Sequence, residues 1–255
     1  MSGLICAGNV FIDRIVNGVR TGEHGPINAT SFSVNPGSAE KIDRISYMRD
    51  SFGQALDSVV FPGVSTLTIE TDEADPEVLE YALLGTLSDL SAASGSVLVG
   101  APEVVVATLD RWVKISRRGL SSVVVKNAAD TVTYTLDTDG TGDYKIDTTS
   151  GMIKALSTGD ITDGQSLNVS YAYAALSGKQ ILAATTTEIR AFVRMEGKNL
   201  ANQKKVSIVC PLAVLTPSGE LDVAGKEFIT FGLSGTLVTD SDNGYTSPFI
   251  YQEIN

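Results

Sequence analysis

His24 is the only histidine in 255 residues, and Cys6 and Cys210 are the only cysteines. A Ser-His-Asp or Cys-His triad would have to run through His24, whose ring would take the nucleophile's proton. His24 sits in Gly22-Glu-His-Gly25-Pro26, which reads as a turn, and no G-x-S-x-G elbow accompanies it. A zinc site wants clustered Cys and His at ligand spacing, and these three residues are too few and too dispersed. The run Asp137-Thr-Asp139-Gly-Thr-Gly-Asp143 has the outline of a calcium loop. Its twelfth position, where an EF-hand places a bidentate glutamate, is Thr148, so a polar hairpin turn is the better reading. No Walker-type loop and no G-x-G-x-x-G is present. Thirty acidic residues give many carboxylate pairs in any fold, so glycoside chemistry has no specific signal. The expectation is a chain with no catalytic residues, no metal and no cofactor.

The charge balance is 19 Lys and Arg against 30 Asp and Glu, a net of −11. Gripping nucleic acid phosphates needs clustered positive charge, so this chain is not expected to bind nucleic acid that way. Its acidity fits a protein that lies beside nucleic acid without gripping it, and more commonly a soluble acidic protein. One basic cluster stands out: Arg111, Lys114, Arg117 and Arg118, around Trp112, the only tryptophan. It reads either as a loop with Trp112 as packing anchor or as an electrostatic contact to an acidic neighbouring subunit. The N-terminal MSGLICAGNVFIDRIVNG lacks a basic segment followed by a long apolar one. No signal peptide or membrane span is expected, and synthesis and folding in the cytoplasm are.

The elements that would position these groups are mostly strands. Residues 8–16 read as a first strand stopped by Asn17-Gly18, and 27–34 alternate, with Thr30, Phe32 and Val34 on one face. Residues 35–56 open with Asn35-Pro36-Gly37 and mix charged with large apolar residues. This stretch is either a surface excursion with a short helix or an arm that orders against a neighbouring subunit. In 64–72, Ser65, Leu67 and Ile69 face a core, and Thr66, Thr68, Glu70 and Asp72 form a small, polar, acidic outer face. Asp75 caps a short helix with Pro76 in its first turn, the stripe Val78, Leu79, Ala82 and Leu83, and Gly85 as terminator.

Residues 88–100 read as a boundary rich in Ser, Ala and Gly. Strands follow at 103–108, 121–126, 131–137, 152–156 and 166–173, separated by turn signals at the spacing of a small sandwich. Longer strands return at 186–195, 205–215 and 227–238. Cys210 is expected in the core within the alternating run Val206, Ile208, Cys210, Leu212 and Val214. A turn at 240–244 precedes an edge strand at 247–252. The layout implies one β domain, 1–95 with 184–255, split by an inserted β domain, 101–180.

The order of segments resembles the major tail tube proteins of long-tailed bacteriophages. The likeness is carried by Gly8-Asn9, the strand Ala29–Asn35, the loop with Glu40-Lys41, Phe61-Pro62, Leu67-Thr-Ile69 and Ala82-Leu83-Leu84-Gly85. It continues in Met195-Glu-Gly-Lys-Asn199, Phe228 to Gly235 and Ser247-Pro248-Phe249. Between them, Asp143-Tyr144-Lys-Ile-Asp147, Gly151-Met-Ile153 and Val169-Ser-Tyr171 resemble a β module that recurs in phage structural proteins.

The resemblance implies a mainly β sandwich or barrel with one short flanking helix, plus an inserted small β-sandwich-like domain. It implies hexameric rings that stack into a hollow tube in the virion tail, through which DNA passes without specific binding. It also implies contacts with other tail proteins, such as tape measure, tail terminator and baseplate or distal tail proteins. On that reading Thr66, Thr68, Glu70 and Asp72 face the lumen. Glu40, Lys41, Ile42, Arg44, Tyr47, Arg49 and Phe52 form the ring-to-ring arm. Arg111, Lys114, Arg117 and Arg118 touch a neighbouring subunit, and the insert decorates the outside. The alternatives are another virion decoration or adhesin-type β protein that binds a partner or glycan, and a carbohydrate-active enzyme.

Overall fold

The computed structural model describes residues 3–221, 223–224 and 228–254. The chain divides into two compact units, one made of the segments up to Leu87 and from Ile181, the other of Ser88–Gln180. The class is mainly β with one short helix.

The first unit opens with β1 (Cys6–Val16) and β2 (Val19–Ile27), joined by Asn17-Gly18 with φ of 52° and 79°. Two positive φ values in a two-residue loop match the right-handed twist of the strands it joins. Only Asn28 separates β2 from β3 (Ala29–Asn35). Next come β4 (Glu40–Ile45), β5 (Ala55–Phe61) and β6 (Thr66–Thr71). The helix α1 (Pro76–Ala82) is capped by Asp75, whose side chain accepts the Val78 N–H at 2.8 Å. Seven residues do not hold a helix in water. Docking does: Val78 and Tyr81 are buried in the unit's core, and each such burial is worth about 1.5–3 kcal/mol. Sequence periodicity favours Leu83 for that stripe, yet Leu83 is the C-cap and Tyr81 takes the buried position.

The chain leaves the first unit through β7 (Thr86–Ala92). The second unit contains β8 (Gly95–Val97), β9 (Glu103–Val106), β10 (Trp112–Lys114), β11 (Leu120–Asn127), β12 (Tyr144–Asp147), β13 (Met152–Ala155) and β14 (Ser166–Tyr173). The chain returns through β15 (Leu176–Leu182), which pairs with β7. The stretch 88–100, read as a boundary, thus carries strands. In the second unit β14 is central, flanked by β11 on one side and by β9 and β8 on the other; β10, β13 and β12 form a second sheet. Ile115, Val125, Ile153, Leu167 and Val169 fill one core between them.

The expected strand at 131–137 is absent. Its backbone goes elsewhere: the Thr131 and Val132 N–H groups donate to the Asn127 side chain, and Thr135 N–H donates to the Asp143 carboxylate. Isolated bridges at Thr133 and Leu136 are all the ladder that remains.

Back in the first unit, β16 (Ile189–Asn199), β17 (Lys205–Ser218), β18 (Phe231–Val238) and β19 (Ile250–Ile254) complete an eight-stranded sheet. Its order is β2-β1-β16-β17-β18-β6-β3, with β19 on the first half of β17. Residue 227, included in the expected last long strand, lies outside the described residues. Because β2 and β3 sit at opposite ends of this order yet are consecutive in the chain, the sheet curls around its core. Val10, Ile12, Leu67, Ile69, Val193, Cys210 and Leu215 lie inside.

The alternation expected along β17 breaks midway. Val193 pairs with Cys210 but Ala191 pairs with Ala213, so one extra residue is inserted at Pro211-Leu212. A one-residue bulge exchanges faces, and Ala213 and Leu215, not Leu212 and Val214, continue the core below Cys210. A second bulge, between Ala29 and Ser31, takes Thr30 out of the Phe32–Val34 face.

Candidate functional site

The segment after β3 is a two-stranded ribbon. β4 and β5 pair only with each other, in the register Glu40–Phe61, Lys41–Val60, Ile42–Val59, Asp43–Ser58 and Arg44–Asp57. It contains no helix. Every residue of both strands is exposed. Its base is tied down: Ser65 Oγ donates to the Pro36 carbonyl at 3.2 Å, and a Cβ on Gly63 would lie 2.3 Å from the Ser38 carbonyl oxygen. Its tip is closed by Ser46, the one buried residue of the ribbon, whose Oγ lies 2.6 Å from Ser51 Oγ. Tyr47 and Phe52 meet edge to face at 5.8 Å. Lys41 pairs with Asp43 at 3.0 Å, and the hydrogen bond from Ser58, then that from Lys41, hold the Asp43 carboxyl below its ordinary range.

The seven arm candidates fall on one element. Glu40, Lys41, Ile42 and Arg44 are on β4, and Tyr47, Arg49 and Phe52 are at the tip. Sequence reasoning did not count the opposite strand among the arm candidates, although Leu56, Val59, Val60 and Phe61 on it are all about half exposed. The β-branched and aromatic run Val59-Val60-Phe61 was the available signal.

The outer face of the first unit's sheet has a different character. Three cross-strand rows run over β3, β6, β18 and β17: Asn35, Thr66, Thr236 and Val214; Ser33, Thr68, Ser234 and Thr216; Ser31, Glu70, Gly232 and Ser218. Ten of these twelve aligned positions hold small or amide polar residues or Gly, Val214 is apolar, and Glu70 carries the only charge. Thr66, Thr68 and Glu70 therefore share one face. Asp72 does not join it: β6 ends at Thr71, and the Asp72 carboxylate accepts from Asn28 Nδ2 at 2.8 Å.

The other end of the sheet's outer face is charged and aromatic. Arg20 stacks on Phe192 at 3.8 Å and Arg194 on Phe11 at 4.5 Å. Arg194 also grips Glu23 at 2.6 Å, and that hydrogen bond lowers the Glu23 pKa. Glu80 and Arg14 form a further ion pair beneath.

His24 is in β2, not in a turn. Its Nε2 lies 2.8 Å from Asp75 Oδ2 and its Nδ1 2.6 Å from Glu77 Oε2, so it ties the edge strand to the start of α1. Among the described residues, both ring nitrogens are matched to carboxylates and neither to a hydroxyl or thiol. Cys210 is fully buried, which pushes its thiol pKa up to about 12, and Cys6 is a separate free thiol. In the suspected calcium loop the Asp137 carboxylate accepts the Gly140 and Gly142 N–H groups, and Asp139 accepts Thr141. Among the described residues no group of three or more His, Cys, Asp or Glu is placed to hold a metal ion. No helix among them is long and apolar enough to cross a membrane.

In the second unit, Arg111, Lys114, Arg117 and Arg118 are all exposed. Trp112 is not a packing anchor: it is 47% exposed, because Val113 is the residue of β10 that turns inward. Lys114 and Arg118 line one shallow concavity with Trp112, Asp147, Ser150 and Met152. Arg117 points elsewhere, over the Tyr173 ring at 4.8 Å.

No curated protein matches the chain. Residues 4–253 match the family described as protein of unknown function UCP028589, and the chain belongs to that family.

Proposed function

We propose that this chain is a structural subunit that polymerises through its own copies into rings and a hollow tube of a phage tail, a conduit for DNA, with no enzymatic role. The β4–β5 arm carries the reading. An isolated two-stranded ribbon is marginal in water. This one displays Ile42, Ile45, Tyr47, Met48, Phe52, Leu56, Val59, Val60 and Phe61 to solvent. An apolar surface of that extent on a projecting element is expected to be covered by a partner. Its interleaved Glu40, Lys41, Arg44, Arg49 and Asp57 suit a neighbour that offers both signs of charge, as another copy does.

The second support is the face built on Thr66, Thr68 and Glu70. A wall of Ser, Thr, Asn and Gly with one apolar position, Val214, offers DNA little hydrophobic hold, and its one charge repels phosphate. Such a wall lets a polyanion slide. The open outer edges of β2 and β3 supply the hydrogen-bonding groups with which neighbouring copies would close a ring.

Negative-stain microscopy over a concentration series, with and without isolated tail-tip complex, tests the reading. Stacked rings with a central hole are expected. A chain in which 41–60 is replaced by a short Gly-Ser linker should give none, with its far-UV spectrum otherwise β. Monodisperse single particles under every condition would overturn the proposal.

A further inference from the structure

We propose that the outer face of the β10-β13-β12 sheet is a binding site for an acidic saccharide, a sugar chain bearing carboxylate or phosphodiester groups. The cross-strand register builds it. Trp112 pairs with Lys154, which pairs with Lys145; Lys114 pairs with Met152, which pairs with Asp147. Directly opposed residues on adjacent strands point to the same side. The alternate row, Val113, Ile153 and Ile146, turns into the core, which fixes the first two rows outward. The result is one exposed indole beside three lysines, with Arg118 at its rim. Trp112, Lys114 and Arg118 share a concavity of about 410 Å³, the size of one or two sugar rings, and Lys145 and Lys154 lie on the same face outside it.

The charges are placed for a ligand. Lys145 is held by Asp137 at 3.3 Å, but among the described residues Lys114, Arg118 and Lys154 form no salt bridge. Asp147 lines the same concavity as an ionised carboxylate, but it accepts the N–H groups of Thr149 and Ser150 in its own turn and makes no salt bridge to those cations. Unbridged cations on a chain of net −11 are a local exception. The second unit, with eight basic and ten acidic residues, stands at −2, which leaves −9 for the rest.

The rest of the lining separates a sugar from a nucleic acid. A bare indole face with flanking cations also suits a single-stranded base. Nucleic acid affinity, however, accrues over many phosphates and several stacking rings. Here there is one aromatic platform, and Asp147 and Ser150 at the rim match hydroxyl groups better than phosphates. A short acidic saccharide needs one flat platform, one or two cations and a hydroxyl partner.

Trp112 is the only tryptophan, so indole emission, excited beyond the absorption of the eight tyrosines, reports this face alone. The titration uses a galacturonate tetramer, a glycerol-phosphate oligomer, a neutral galactose tetramer and a dT12 oligonucleotide. A saturable emission change is expected with at least one of the first two, and none with the neutral sugar. Lys114→Gln and Lys154→Gln, both on the surface, should each weaken binding about tenfold with unchanged melting. No response to either acidic saccharide at millimolar concentration would overturn the proposal. So would an equal response to the neutral sugar, a response unmoved by both lysine changes, or tighter binding of dT12.

Discussion

Asp75 and His24 are joined across the first unit: Oδ2 of the helix cap lies 2.8 Å from Nε2 of the edge-strand histidine, and Oδ1 of the same carboxylate receives the Val78 N–H. One side chain thus starts α1 and ties it to β2. Asp75→Ala should cost more than an ordinary cap, about 1–2 kcal/mol, and Asp75→Asn should recover the cap share alone. Chemical denaturation of the three proteins measures both.

Glu23 gives an acid-sensitive contribution. The Arg194 hydrogen bond lowers its pKa below the ordinary 4.5. The unfolded chain therefore takes up a proton before the folded one does. The stabilisation is complete above pH 4.5 and is lost as pH falls through the lower folded value. The melting difference between the natural chain and Glu23→Gln should be larger at pH 6 than at pH 3. Equal differences at both would show that the Arg194 contact is not felt.

The two thiols should separate kinetically. Cys210 is fully buried with its thiol pKa pushed up to about 12, so thiolate is scarce and access is closed. A disulfide reagent at pH 8 should modify Cys6 in the native protein and Cys210 only in denaturant. Mass spectrometry of the modified peptides distinguishes them.

Gly235 marks a close approach. A Cβ there would lie 1.9 Å from the Val214 carbonyl oxygen, in the ladder between β17 and β18. Gly235→Ala should destabilise the first unit by about 1–3 kcal/mol through backbone displacement. Gly178→Ala in β15, where nothing lies within 4 Å and φ is not positive, is the matched control.

The arm tip should matter for association and not for folding. Tyr47 and Phe52 are 82% and 70% exposed and pack mainly on each other. Paired Tyr47→Asp and Phe52→Asp changes should reduce sedimenting oligomers at least tenfold while leaving the melting temperature within a degree or two.

Much of the fold was legible where periodicity is uninterrupted. Ile189, Ala191, Val193 and Met195 alternate through β16 without a break, and Leu67 and Ile69 do so in β6. Legibility failed where one residue changes phase. At Pro211-Leu212 the proline, which a central strand tolerates only at a bulge, was the available signal; the apolar pattern hid it, since Leu212 and Val214 are as apolar as Ala213 and Leu215. At 131–137 a good strand pattern lost to local chemistry, because Asn127 and Asp143 took the N–H groups a ladder needed. The candidate surfaces divide the same way. The Thr66–Glu70 face follows from period two alone. The second strand of the arm and the Lys145–Lys154–Trp112 row depend on registers between segments, which sequence does not carry.

The pairing of β7 with β15 has a further consequence. Asp89 meets Lys179 at 2.6 Å, and Thr86 Oγ1 meets Thr185 Oγ1 at 2.7 Å, so the outgoing and returning chains run side by side. The 93 residues of Ser88–Gln180 are therefore entered and left in sequence through one pair of neighbouring strands. A deletion that joins Leu87 to Ile181 through a short linker removes no strand of the first unit's eight-stranded sheet, so the segment has the connectivity of an exchangeable cassette.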